Sequence, residues 1–395
     1  MEMSDFWNKV IEIENITPKS DVYCDVFFNE IYTNPDGNYR FCCHASAVPP
    51  EHRMNSKTHT PFEWYRSDYM EEARNNIFDG IKNPGCTRCY KMEKDIGSSF
   101  RTMRYNQFSL SNITNVKLNL ALSNACNLSC YMCGPENSTT KQVEMNNVFG
   151  KDSPEASPDF PGFALKRDNY QRLKANILEN ISEIKYINLI GGEPLMIPEV
   201  WDLLDSISDE DAKRIHLCWI TNMTKVGYKN YSLEDVIEKY DKVTFNVSCD
   251  HFGEKESWIR YPIDISIFEE NLVKYHDYIT HIQVTVGILN GSDLIEIKDY
   301  YNTKFNLYVD FTNMVTGGNN AITNYPQDHK DMLIKKYKDD KSFDLVVETL
   351  KLKPNHYRRK DYKKHYSQDL DYYQKLSDYR KFQFKDIWKD TLPGI

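Results

Sequence analysis

From about Asn115 onward, short apolar runs alternate with amphipathic stretches. Val116-Lys117-Leu118-Asn119-Leu120-Ala121-Leu122 reads as a strand, and Ile187-Asn188-Leu189-Ile190 as a second, after a helical stretch over about 170–182. Residues 215–220, 243–247, 282–289 and 307–311 are four further apolar runs, with helical segments near 198–207, 233–240, 266–278 and 292–300. Repeated βα units of this length predict an α/β fold whose parallel sheet carries helices outside. Six units rather than eight predict a partial (β/α)6 barrel over residues 113–326, with an open doubly wound sheet as the alternative.

The pattern differs on either side of this stretch. Residues 1–112 read as irregular, rich in turn residues and aromatics, with a chain reversal at Asn34-Pro35-Asp36-Gly37. So little periodicity predicts a small core and a region folded around a metal staple. Residues 134–168, containing Pro154, Pro158 and Pro161, read as a long loop. Beyond Pro326, residues 327–395 form a Lys/Tyr/Asp-rich helical extension broken at Pro354.

Composition narrows the function classes. With 395 residues, 27% charged and 13% aromatic, the chain is neither disordered nor fibrous, and its length suggests two or three domains. No apolar window of about 18 residues occurs, so no membrane partner is expected. Met1-Glu2-Met3-Ser4-Asp5 lacks the basic start of a secretory signal, which points to a cytoplasmic location. The net charge of −9 speaks against nucleic acid as a partner, although from Lys330 onward 17 Lys/Arg stand against 11 Asp/Glu.

Ten cysteines in a reducing compartment read as metal ligands or reactive thiols rather than disulfides. Cys218 and Cys249 lie inside apolar runs and read as core thiols. Cys126-Asn-Leu-Ser-Cys130-Tyr-Met-Cys133 places three thiols within eight residues just after the first barrel strand. Such a loop can wrap an iron–sulfur cluster and leave one iron open for a substrate. A zinc site completed by a distant His is the alternative. Farther upstream, Cys24, twelve residues, Gly37, four residues and Cys42 precede the pair Cys86-Thr-Arg-Cys89. Four thiols suit a closed 4Fe–4S cluster or a structural zinc ion, and Cys43 competes with Cys42 as the ligand.

The C-x3-C-x2-C loop resembles the signature of the radical SAM superfamily. Gly191-Gly192-Glu193-Pro194 after the second strand is similar to that family's GGEP motif, and glycines there let the backbone approach a ligand closely. Thr221-Asn222 resembles its TNG segment with Met223 in place of Gly, and Val247-Ser248-Cys249-Asp250 its VSxDG segment with His251 in place of Gly. The resemblance implies that Ser248 meets the ribose of S-adenosylmethionine (SAM). It implies too that Arg260, twelve positions on, meets the SAM carboxylate. Asn290 and Met132 are its further nucleotide contacts. The upstream cysteines resemble the half-motif of SPASM and twitch auxiliary-cluster domains, here placed before the barrel, as in twitch domain-containing radical SAM proteins of phage and bacteria.

The likeness covers roughly residues 20–315. It implies an enzyme in which a 4Fe–4S cluster on Cys126, Cys130 and Cys133 cleaves SAM to a 5′-deoxyadenosyl radical. A second 4Fe–4S cluster is expected on Cys24, Cys42, Cys86 and Cys89. The expected partners are an electron donor such as flavodoxin or ferredoxin and a peptide, protein, sugar or other small-molecule substrate. A zinc-stapled binding protein and an RNA-modifying radical SAM enzyme are the alternative functions.

Overall fold

The structure is a computed structural model that describes residues 22–45, 48–105, 116–157, 165–315, 318–353 and 362–393. The acidic N-terminal pentapeptide, the expected domain boundary at 112/113, Pro158, Pro161 and Pro354 lie outside the described residues. The fold is α/β with mostly parallel strands, and it divides into two compact units. One comprises residues 1–120 with 165–187, the other 121–164 with 188–395.

In the first unit, β1 (Glu30–Thr33) and β2 (Tyr39–Arg40) form an antiparallel hairpin over the turn at Asp36-Gly37. Gly37 has a φ of 81°, a left-handed value that glycine adopts without a Cβ clash. β1 also pairs in parallel with β3 (Val116–Ala121), and β4 (Ile184–Ile190) lies on the other side of β3. The region before β3 is far more helical than its sequence suggests, with helices Pro61–Tyr65, Asp68–Phe78, Thr87–Ile96 and Phe100–Tyr105. Local capping explains two of them. Thr60 and Glu63 form a reciprocal capping box, and Ser67 caps the next helix through Met70 N. Nor is the core small. Phe27 and Phe41 rings meet at 4.5 Å, Phe41 and Trp64 at 6.0 Å, and all three are buried. Aromatic contacts between residues far apart in sequence carry no period, so the sequence hides this core.

In the second unit, β5 (His216–Thr221), β8 (Lys242–Ser248), β9 (Ile279–Val286) and β10 (Val309–Met314) are parallel and neighbour one another in that order. A small antiparallel pair, β6 (Gly227–Tyr228) and β7 (Tyr231–Ser232), precedes β8. Helices Leu233–Lys239, Gly253–Ile259, Ile265–Lys274 and Leu294–Phe305 fill the crossovers. Val243, Phe245 and Val247 alternate with less buried residues, as do Ile282, Val284 and Val286, so each strand turns one apolar face inward. The apolar run 282–289 does not stay extended: β9 ends at Val286 and Gly287–Leu289 turn away. The stretch read as a long loop holds the helix Thr139–Phe149, started by Ser138, whose hydroxyl accepts from Lys141 N. Helices Gln327–Tyr337, Asp344–Lys351, Tyr362–Arg380 and Phe384–Trp388 follow β10. No helix among the described residues is long and apolar enough to cross a membrane.

Candidate functional site

The three closely spaced cysteines lie on the loop between β3 and the helix Thr139–Phe149. The loop closes on that helix: Thr140 Oγ1 donates to Cys126 O at 2.6 Å and Ser138 Oγ to Leu128 O at 2.6 Å. Cys130 is buried, whereas Cys126 and Cys133 are half-buried. Burial pushes the Cys126 thiol up to about 12. Cys133 N donates to Cys130 O at 3.1 Å, and the neighbouring Cys133 thiol together with burial pushes the Cys130 thiol well above the usual range.

Gly191-Gly192-Glu193 is stitched to the segment just before Cys126. Gly192 N donates to Ser123 O at 3.1 Å and Glu193 N to Ala125 O at 2.7 Å. Here the chain itself requires the glycines. Gly191 has a φ of 121°, and a Cβ on Gly192 would lie 2.2 Å from Ala125 O. The Glu193 carboxylate faces inward, accepting from Thr221 Oγ1 at 2.8 Å, Asn222 N at 2.8 Å and Leu195 N at 3.1 Å. Burial outweighs these donors and raises its pKa to about 7. Pro194 is buried at the start of a single 3-10 turn.

Met223, standing where glycine was expected, still adopts a left-handed φ of 54°. Thr221 Oγ1 accepts from its N–H at 2.9 Å, and Asn271 Nδ2 donates to its carbonyl at 2.9 Å. Such a conformation costs a non-glycine residue roughly 1–3 kcal/mol, which the surroundings must offset. Asn222 links this turn to the cysteine loop, its Nδ2 donating to Asn127 Oδ1 at 3.0 Å.

Ser248 is half-buried at the end of β8. Asp250 is fully buried: its Oδ1 accepts from Thr285 N at 2.7 Å, and its Oδ2 lies 2.8 Å from Arg260 Nε. Arg260 in turn lies 3.4 Å from Glu256 and directs Nη1 at Cys130 Sγ, 3.8 Å away. Burial opposes the Arg260 charge, but Asp250, Cys130 and Glu256 together hold it protonated, while burial lifts Glu256 to about 7. His251 accepts from Phe252 N through Nδ1, so its Nε2 carries the proton donated to Asp293 at 2.9 Å. Cys249 is fully buried and bonded to Tyr301 OH at 2.8 Å, and Cys218 is equally inaccessible.

Asn290 and the aromatic beside Met132 serve the protein interior. Both Asn290 amide hydrogens go to backbone carbonyls, Asp250 O at 3.0 Å and Thr285 O at 3.1 Å, and its Oδ1 accepts from Gly287 N. Tyr131 is buried, its ring 6.2 Å from Trp258, and it fits only because residue 287 is glycine: a Cβ there would lie 2.1 Å from the phenol oxygen. Met132 is half-buried.

In the first unit, Cys24, Cys42 and Cys89 are buried, Cys86 is half-buried and Cys43 is exposed. Cys24 lies just before the short helix Val26–Asn29, which leads into the β1–β2 hairpin. Cys42 lies close enough to Cys24 and Cys43 for both to raise its pKa, after burial. Cys86 ends a 3-10 turn and Cys89 lies on the helix Thr87–Ile96, where burial raises Cys86 to about 12. Buried Arg101 ties these segments together, gripping Glu93 on that helix at 2.6 and 3.0 Å and donating to Tyr23 O, next to Cys24, at 3.0 Å. Among the described residues, no three His, Cys, Asp or Glu side chains are already gathered in ligating geometry. Three thiols beside a guanidinium in one unit suit an iron–sulfur cluster, and four thiols in the other suit such a cluster or a zinc ion.

One group escaped the sequence reading. Arg380, Glu144 and Lys141 form a buried ionic cluster beside the cysteine loop. The available signal was weak: Arg380 is an arginine in a lysine-rich stretch, and arginine suits buried, forked pairing better than lysine.

No curated protein matches the chain. Among solved structures, native anSMEcpe with bound AdoMet is 16% identical, with a TM-score of 0.39, and the match covers 59% of this chain and 62% of that one. TYW1 with a lysine-pyruvate adduct bound is 14% identical at a TM-score of 0.30, over 54% of this chain and 70% of that one. The chain thus spans less than two thirds of anSMEcpe. Residues 120–302 match the Radical SAM superfamily, a family that implies a 4Fe–4S cluster and SAM. That match runs from Leu120 to Asn302, a little under half of the chain.

Proposed function

We propose that the protein is a radical SAM enzyme whose cluster is held by Cys126, Cys130 and Cys133, with a second 4Fe–4S cluster on Cys24, Cys42, Cys86 and Cys89. When bound, the first cluster and SAM supply one-electron cleavage of a sulfonium and hydrogen abstraction from a substrate. The observation that carries the reading is the fastening of Gly192 and Glu193 to Ser123 and Ala125, which sets the glycine pair directly against the root of the cysteine loop.

In this reading the chain supplies ligands, orientation and charge. Arg260, directed at Cys130, stabilises the thiolate form needed for metal binding, and its guanidinium is the recognition point for a carboxylate. The inward-facing Glu193 fixes the shape of the turn, leaving backbone groups of the glycine pair to meet an amino group. Ser248 ends β8 and Asn222 follows β5, both offering polar contact to the nucleoside, and Met132 on the cysteine loop offers apolar contact. Arg101 supports the second site by joining the Cys24 turn to the helix carrying Cys89. A peptide, protein or sugar substrate, a flavodoxin or ferredoxin donor and a cytoplasmic setting complete the proposal.

The test is anaerobic reconstitution followed by incubation with SAM and a strong reductant. The expected product is 5′-deoxyadenosine, from a brown protein with about eight irons per chain. Cys130→Ala should abolish the product with the fold retained, and Cys86→Ala with Cys89→Ala should halve the iron. A colourless protein carrying only zinc would establish the zinc-stapled binder instead.

A further inference from the structure

Residue 380 lies well outside the family match, yet its side chain reaches the cysteine loop. Arg380 ends the long helix Tyr362–Arg380 and is wholly buried at its guanidinium. Nε donates to Glu144 Oε1 at 2.6 Å and Nη2 to Glu144 Oε2 at 2.8 Å, a forked pair. Nη2 also donates to Ser129 O at 2.6 Å, and Nη1 to Trp258 O. The guanidinium lies over the Trp258 ring at 4.9 Å, and Trp258 Nε1 donates to Ser377 Oγ, one turn earlier on the same helix, at 2.6 Å.

Ser129 is the residue before Cys130, and all its polar groups are engaged. Its N–H donates to Tyr261 O at 2.6 Å, its hydroxyl to Glu144 Oε2, and its carbonyl accepts from Arg380. Three separate segments thus hold one peptide of the loop: the helix Thr139–Phe149, the turn at Tyr261 and the helix ending at Arg380. A second contact points the same way. Tyr373, two turns back on that helix, donates to Asn320 Oδ1 at 2.8 Å, and Asn320 Nδ2 donates to Tyr131 O, just after Cys130, at 3.3 Å. The helix therefore reaches both neighbours of the middle cysteine.

We propose that Arg380 is a positioning residue that holds the backbone around Cys130 in the conformation required for cluster binding, acting through Ser129 and Glu144. The functional part rests on the reading of the Cys126–Cys133 loop as the cluster segment; the positional part does not. Glu144 is the one carboxylate facing both Lys141 and Arg380, so the three carry a net charge of +1, and Arg380 alone of the two cations also reaches the loop carbonyl of Ser129. Lysine at 380 could supply the charge but not the fork to both carboxylate oxygens together with the two carbonyls.

The experiment compares Arg380→Lys, Arg380→Met and Glu144→Gln with the parent protein, using full chains throughout. Cysteine alkylation in the metal-free chain is followed residue by residue by mass spectrometry. Cys130 should react about tenfold faster or more in Arg380→Met, as loss of a charge-assisted hydrogen bond implies, and by a smaller factor in the two conservative variants. Cys218 and Cys249 should remain protected. Val236→Ala, a buried truncation on the helix Leu233–Lys239, should leave Cys130 at the parent rate. In reconstituted protein, Arg380→Lys should release iron to a chelator faster and change the electron paramagnetic resonance line shape of the reduced cluster, whereas Val236→Ala should do neither. Unchanged Cys130 reactivity in Arg380→Lys and Glu144→Gln would overturn the proposal, as would exposure of Cys218 and Cys249 in step with Cys130 in those variants. If alkylation responds as expected but the parent binds no iron, the proposed function fails and the positional claim stands.

Discussion

The two cysteine-bearing regions share one device and build it from different distances. In the first unit, Arg101 forks onto Glu93 and donates to the carbonyl of Tyr23, the residue before Cys24. In the second, Arg380 forks onto Glu144 and donates to the carbonyl of Ser129, the residue before Cys130. Arg101 and Glu93 are eight residues apart, whereas 236 separate Arg380 and Glu144. The surroundings differ as well: Glu93 keeps 19% of its side-chain surface exposed, and Glu144 only 2%. A local, partly solvated pair leaves its carboxylate a route to water when the arginine is lost, and a remote, buried pair does not.

The largest expected difference follows from that contrast. Arg380→Met should cost about 3–5 kcal/mol, because it strips the fork from buried Glu144, leaving it Lys141 and the Ser129 hydroxyl, and takes a donor from the buried carbonyls of Ser129 and Trp258. Arg101→Met should cost about 1–2 kcal/mol, since Glu93 can rehydrate and keeps its bond from Ser99 Oγ. Denaturant melts of the two variants measure this, and equal losses would break the comparison.

Acid provides a smaller test. Burial would raise the Glu144 carboxyl, but hydrogen bonding from Arg380 and the charges of Lys141 and Arg380 hold it down, from 4.5 to about 2. A depressed carboxylate contributes stability that is complete above pH 4.5 and disappears as pH falls through about 2. The share at stake is about 3 kcal/mol. Glu144→Gln should therefore lose less stability than the parent protein between those two pH values, and parallel acid limbs would show that Glu144 carries no such linkage.

The smallest effect isolates shape from charge. Gly287→Ala should cost about 1–3 kcal/mol by pressing its methyl on the Tyr131 phenol oxygen. Tyr131→Phe removes that oxygen and should restore part of the loss in a double-mutant cycle followed by thermal melting. Strict additivity would mean that the two residues do not compete for the same space.

What the sequence disclosed follows the same division between near and far. The six apolar runs correspond in position to β3, β4, β5, β8, β9 and β10, because a strand's pattern lies within a few residues. Spacing exposed the cysteine triplet, and the glycine pair stood out through its resemblance to a family motif. The aromatic core around Phe27, Phe41 and Trp64 did not show, since its contacts join residues with no common period. The left-handed Met223 was hidden because a local bond to Thr221 Oγ1 and a tertiary one from Asn271 hold a conformation that its own type disfavours. Asn290 stood out through the family resemblance, while the bonds from its amide to Asp250 O and Thr285 O, 40 and 5 residues away, left no mark in the sequence.

The reach from Ser129 to Arg380 has a consequence for biosynthesis. Their positions differ by 251, so at roughly 5–20 residues per second a nascent chain waits on the order of 10–50 s between emergence of the thiol loop and arrival of the guanidinium that braces it. During translation the sulfurs are thus presented on an unbraced segment, and under the proposed function the cluster would be loaded after that distant helix is complete.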